Sequence, residues 1–513
     1  MKFLGLLFSV FIAALSGCDS GFSTDPRVPA QAEKATVDGR ANSSHELEEQ
    51  IKTAIRQWWG ATHAGVYGNS VIAAADALTC SWRNFGIEDL SAEPRASYNN
   101  SANYRYQNAT LLPWSLCYRA LRNVNEALET IRLNPDTLGV DTPRAKAFTR
   151  LVQGLAYGHL ALYFDKAIFL DEKGELPRQI FQFSHYQVVM DSAVKYLGSS
   201  ISISEANEFI VPSNWINGLS LTNTELARIA HSYTARFLAQ IGRTPDERAA
   251  ADWGRIAFHV SQGIVEDLTP IGDGADDWWH AMQWYHNDSG GQWARADYKL
   301  IGPSDKSGAY QDWLALPLEE RDEFEIDTDD KRIWDGTRNA DGQQNPGLYI
   351  LYTDPTPFPP ERGKYHFSRY AYYRYEDYHK NNGNGPSPIF LVKELDFLRA
   401  EAALRLGDYA TATDIINSTR VPNGGYPPAA ADFPGNPEDP RSPLEGSSLW
   451  AMLKYEKHIE ILMTGPGVEF FDNRGWGDLV SGTPLHFPVP GTYIRELLLA
   501  SYTFGGGGEG SAK

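Results

Sequence analysis

The chain has 513 residues and carries 46 Lys and Arg against 65 Asp and Glu, a formal net charge of −19. That balance argues against nucleic acid as a partner, because binding phosphates requires a basic face. The length suffices for one large domain or two smaller ones. Three cysteines without CxxC spacing or a surrounding histidine cluster argue against a zinc site, and no metal or other cofactor is expected. The 14 Trp, 26 Tyr and 23 Phe are numerous enough that some are expected to lie exposed for stacking on a ligand.

In chain order, Lys2 provides a positive start and Phe3 to Leu15 an apolar run. The run is too short to span a bilayer and lacks a stop-transfer flank, so residues 1–17 read as a secretory signal. Leu15-Ser16-Gly17-Cys18 resembles a bacterial lipobox. That resemblance implies cleavage before Cys18 and lipidation of its thiol. Acyl chains would then anchor the protein, each buried CH2 contributing roughly 0.8 kcal/mol. Residues 18–42 are polar, with Gly, Ser and Pro, and read as a flexible tether. The two other cysteines, Cys80 and Cys117, are either a disulfide of an oxidising compartment or two buried thiols.

From Ser43 onward helical periodicity dominates, and the fold class expected is all-α over residues 43–504. Ser43 with Glu46 makes a capping box ahead of the stripe Leu47, Ile51, Ile55 and Trp58. Further helices are expected from about His63 to Leu78, Leu111 to Ile131, Thr142 to Phe164 and His185 to Leu197. Thr222 and Glu225 form a second box opening a helix to Ile241, and a partner is expected from about Asp246 to Val265. The clearest pair comes late: Val392 to Leu406, a Gly407-Asp408 turn, then Tyr409 to Thr419. The run Leu404-x2-Gly407-Asp408-Tyr409-x2-Ala412 resembles the turn of a tetratricopeptide repeat. Residues 270–375 break the helical pattern with short β-like runs such as Leu348 to Tyr352, and Val421 to Glu445 reads as loop. Loops on a rigid scaffold are where binding surfaces sit. The tail 505–513 is Gly-rich and expected to be disordered.

Taken in order, several stretches resemble the SusD/RagB family of nutrient-binding outer-membrane lipoproteins. After the lipobox, Trp114-x3-Tyr118-x2-Leu121-x3-Asn125 matches an early helix of that family. Gln153 to Tyr157, running on to Phe164-Asp165, occupies the place of its Arg-Ala-x-Ala-Tyr helix, with Gln153 for the Arg. Glu394-x6-Ala400-Glu401-Ala402 with Gly407 and Tyr409 matches its C-terminal repeat. Lys454 to Glu460 and Phe471-Asp472-x-Arg474 resemble its later segment, with Lys457 for an Arg. Leu485-x-Phe487-Pro488-Val489-Pro490 matches the terminal signature, with Tyr493 where an acidic residue is common. The resemblance implies tetratricopeptide-like helix pairs with long loop inserts. It also implies a SusC-like TonB-dependent β-barrel transporter as partner and an oligosaccharide or peptide as ligand. The lipoprotein would act as the lid of the barrel, on the cell surface at the outer membrane.

Sugar recognition uses a flat aromatic face with amides and carboxylates around it. The stretch Asp276 to Asn287 offers that mixture, so Trp278, Trp279 and Trp284, with Trp293 nearby, are candidate ligand-stacking residues, core packing being the alternative. Asp327, Asp329, Asp330, Asp335 and Asp341 are acidic but lack calcium-loop spacing and read as a solvated loop. Glu456 and Glu460, one helical turn apart, read as salt-bridge partners rather than a glycosidase pair. There is no GxSxG, HExxH, Walker or GxGxxG motif. No catalytic residue is expected, and a binding role is favoured over an enzymatic one, with an envelope scaffold as the alternative.

Overall fold

In a computed structural model of the chain, residues 43–506 are described apart from 65, 80–85, 171–181, 275–276, 282–294, 335, 338–339, 341–346, 354–364, 366–367 and 466, and the side chains of 66–69. The signal, Cys18, the tether, Cys80, Trp284, Trp293, Asp335 and Asp341 lie outside the described residues.

Helix α1 (Ser44–Thr62) begins where Ser43 Oγ accepts the Glu46 N–H at 3.2 Å, and it buries the expected Leu47, Ile51, Ile55 and Trp58. Helix α2 (Val66–Ala74) is shorter than its periodicity suggests. Asp76 turns left-handed (φ 51°), and the chain leaves as strand β1 (Leu78–Thr79). Helices α3 (Asn108–Leu133) and α4 (Thr142–Tyr163) follow, the latter opened by a proline in its first turn. Strands β2 (Lys166–Ile168) and β3 (Phe183–His185) pair antiparallel and lead into α5 (Tyr186–Glu205). A hairpin of β4 (Ile210–Ile216) and β5 (Leu219–Thr222), turning at Gly218 (φ +83°), feeds α6 (Asn223–Gln240). Both halves of the Thr222/Glu225 capping box are formed there.

The helix expected from Asp246 to Val265 is two helices, Pro245–Ala249 and α7 (Trp253–Ser261). Asp252 causes the break, since its carboxylate accepts the Arg255 N–H at 2.9 Å and caps a new start. Helices α8 (Val392–Leu406) and α9 (Tyr409–Thr419) hold their expected bounds, with Gly407 at φ +82° between them and Asp408 capping the second. Helices α10 (Leu449–Ile461) and α11 (Val468–Trp476) complete the set.

Each long helix packs on the next: α1 on α3, α3 on α4, α4 on α5, α5 on α6, α6 on α7, then α7, α8, α9 and α10 in turn. Two glycines make the α4 contacts possible. A Cβ on Gly154 would lie 2.5 Å from Leu197 of α5, and one on Gly158 would lie 2.0 Å from the Phe237 ring of α6. The main core runs through α1 to α8. A second core, rich in Tyr and Trp, gathers described residues between Ala296 and Tyr378 against α2 and α10. A smaller third core lies among α8, α9 and α10. The tail enters the fold at its start: Gly505 bridges to Ser97, and the Gly506 N–H donates to Gly482 O at 2.7 Å. Among the described residues no helix is long and apolar enough to cross a membrane.

Candidate functional site

The aromatic stretch singled out by sequence sits where the main and second cores meet. Strand β6 (Ile271–Asp273) delivers it, and Asp273 Oδ1 accepts the Trp278 N–H at 2.9 Å. Trp278 is buried in the main core, its ring 5.0 Å from that of Trp59, so it supports the segment from beneath and presents no face to a ligand. Trp279 is half-buried against the second core, and its carbonyl accepts Trp59 Nε1–H at 2.8 Å. The His280 N–H donates to the Tyr378 hydroxyl, and the Ala281 N–H donates to His63 O at 2.9 Å. Exposed Asp277 pairs with Arg56 of α1 at 2.5 Å. Thr62 Oγ1 donates to Trp58 O, so His63 Nδ1–H, 2.7 Å away, donates to that hydroxyl. Burial, then the neighbouring His280, holds the His63 imidazole well below its ordinary range and keeps it neutral. On the far side the chain re-enters at β7 (Arg295–Ala296), paired with β1. Residues 282–294, with Trp284 and Trp293, are therefore flanked on both sides by rigidly bonded backbone.

The acidic candidates have a different fate. Asp330, Glu456 and Glu460 surround Arg332, which donates to them at 2.6–2.9 Å, all four buried. Tyr455 OH donates to Asp330, Tyr349 OH and Asn423 to Glu460, and Thr419 to Glu456. The reading of Asp330 as part of a solvated loop is thus corrected: it is a buried counter-ion. Asp327 and Asp329 are exposed and pair with Lys306. Among the described residues no group of three or more His, Cys, Asp or Glu is placed to hold a metal ion. Cys117 is a free thiol in the main core, its proton held tightly by burial.

The motif residues have architectural contacts. Trp114 packs on Tyr118, Phe164 and Tyr493. The Tyr118 hydroxyl bonds both N–H and C=O of Ile168, while Asn125 donates to Leu170 O and accepts from Gln153 at 2.7 Å. Together they pin β2 across α3. Glu394 is held by Arg236, and Glu401 by Arg248, which also reaches Asp472 at 3.0 Å. Lys457 Nζ lies 2.7 Å from the second Asp472 oxygen. The arginine partners Arg236, Arg248 and Arg332 were not singled out by sequence, because apart from the Asp330 beside Arg332 their carboxylates lie more than a hundred positions away, where no local pattern reaches.

No sequence-family model matches the chain, and no curated protein matches it by sequence. Solved structures do. A SusD superfamily protein from Bacteroides vulgatus aligns at TM-score 0.57 and 14% identity, over 89% of this chain and 97% of that one. Another from Bacteroides thetaiotaomicron aligns at 0.56 and 14%, over 88% and 96%. The chain has a SusD-like fold. A SusD-like carbohydrate-binding protein from Bacteroides vulgatus aligns at 0.52 and 12% identity, over 82% of each chain. In this SusD-like frame the motif residues are the fasteners between helix layers, and the ligand candidates fall in the insert between α7 and α8.

Proposed function

We propose that the protein is the binding subunit of a nutrient-uptake complex at the outer membrane. Cys18 carries the lipid anchor and residues 18–42 the tether. The helical body takes an oligosaccharide on the aromatic insert and passes it to a SusC-like TonB-dependent β-barrel transporter, which it covers as a lid. The observation that carries this reading is the SusD-like fold running over 89% of the chain and 97% of a neighbour. The lipobox-like Leu15 to Cys18 adds to it. Binding is favoured over hydrolysis because Glu456 and Glu460 are buried and taken up by Arg332. Trp279, Trp284 and Trp293 are the proposed stacking residues. The net charge of −19 supports cationic peptides as the second ligand class.

The test is a pull-down of the tagged full-length lipoprotein from detergent-solubilised envelope, followed by titration with neutral oligosaccharides. A β-barrel transporter recovered in near-equal amount is the expected result; recovery of assembly factors alone would point to a scaffold. Trp284→Ala with Trp293→Ala should weaken oligosaccharide binding about tenfold or more. Trp278→Ala should instead lower the melting temperature, as expected of a buried ring. Unchanged affinity in the double variant removes those rings from the site.

A further inference from the structure

Arg243 and Arg474 are almost wholly buried (3% and 1% exposed), yet neither has a carboxylate within ion-pair distance among the described residues. In this they differ from Arg236, Arg248 and Arg332, each of which holds at least one buried carboxylate. They converge on the C-terminal turn of α4. Arg243 Nη2 donates to Ala161 O at 2.7 Å and Phe164 O at 2.9 Å. Arg474 Nη1 donates to Leu162 O and Leu485 O at 2.8 Å, and its Nη2 to Gln240 O at 3.0 Å, three residues before Arg243. Tyr186 lies flat beneath Arg243, 3.5 Å from its guanidinium carbon. Two carboxylates act on Arg243 from beyond ion-pair distance: Asp165, engaged by the Tyr502 hydroxyl at 3.0 Å, and Glu247, engaged by the Tyr186 hydroxyl and the Arg243 backbone N–H.

Among the described residues, three guanidinium nitrogens remain without a partner: Arg243 Nε and Nη1, and Arg474 Nε. His486, in the next position after Leu485, is half-buried and has an unpartnered Nδ1. The main-chain carbonyls relieve part of the charge at the helix C-terminus. They do not supply the counter-charge that a buried cation pair requires. The electrostatics agree with the crowding. Burial, then Arg243, drives the Arg474 guanidinium well below its ordinary value. Burial, then both arginines, pushes the His486 imidazole down to about 2.

We infer that Arg243 and Arg474, with His486 beside them, form a binding site for a small inorganic anion of the halide class. The anion completes the hydrogen bonding of both guanidiniums. It thereby ties α4, the α6 end and α11 to the Leu485–Phe487 segment. It is a structural ion, separate from the aromatic insert, and it does not depend on the proposed uptake role.

The test is anomalous diffraction from crystals of the protein equilibrated with sodium bromide, with melting temperatures in sodium chloride and sodium gluconate at matched ionic strength. The expected result is a bromide peak within hydrogen-bond reach of Arg243 and Arg474 Nε. Chloride should also raise the melting temperature by roughly 2 °C over gluconate, a rise lost in Arg243→Gln. Water in place of bromide overturns the inference. So does a peak without any chloride-specific stabilisation, which marks an adventitious ion. An equal chloride response in wild type and Arg243→Gln also overturns it. Should that variant not fold, the wild-type bromide map and the chloride comparison decide alone.

Discussion

Arg332 satisfies three buried carboxylates at once, and each of those accepts a further bond from a neutral side chain or another donor. Removing the cation would leave Asp330, Glu456 and Glu460 facing one another without water. Arg332→Met should therefore cost about 3–5 kcal/mol in urea unfolding, far more than an exposed pair such as Arg369–Glu323. Glu469 is the opposite case. Its Oε1 accepts the N–H of Met463, a residue at φ +71°, and among the described residues it has no ion-pair partner. Burial, with Asp472 and Glu394 nearby, raises its carboxyl to about 7 from an ordinary 4.5. Between those two values the native state holds a proton that the unfolded chain has released. Stability from this group therefore falls as pH rises from about 4.5 to about 7, and stays lower above. Glu469→Gln keeps the acceptor for Met463 and removes the titration. It should gain roughly 1–3 kcal/mol relative to wild type at pH 8 but not at pH 4, measured as unfolding free energy across that range.

The helices owe their existence to local signals and their spacing to small residues. Thr222 with Glu225, Asp252 and Asp408 each supply a side-chain cap, and each marks a start that DNA-encoded pattern alone reveals or, for Asp252, hides within a longer stripe. Packing distance is a different matter. Gly158 lets Phe237 lie against the α4 backbone, and Gly154 does the same for Leu197. Gly158→Ala improves helix propensity by about 1 kcal/mol but drives a methyl into an aromatic ring held by its neighbours. The overpacking should prevail, for a net loss of about 1–3 kcal/mol in chemical denaturation. A gain in stability would show that α6 can shift outward.

At the scale of the whole molecule, α10 joins two of the cores. Tyr455 and Ile459 lie in the aromatic core while Leu449, Trp450, Leu453 and Ile461 lie in the small helical one. Arg332 adds a bond from the insert to the same helix, 124 positions away in sequence. The insert and the helical body are therefore expected to unfold together. Far-ultraviolet dichroism and tryptophan fluorescence should give coincident midpoints, and two separated transitions would show that the insert melts alone. The sequence by itself determined the helical body: the capping signals, the α8–α9 turn at Gly407 and the apolar stripes all act within a few residues, so they can be read locally. The SusD resemblance was legible for the same reason, its motifs being short contiguous segments, most of them on helices. Only the tertiary structure decided that Trp278 faces the core, that Asp330 is a buried counter-ion and that Arg243 and Arg474 crowd one helix end. Each of those depends on which distant segment lies opposite, and no local periodicity encodes the partner of a side chain across a packed layer.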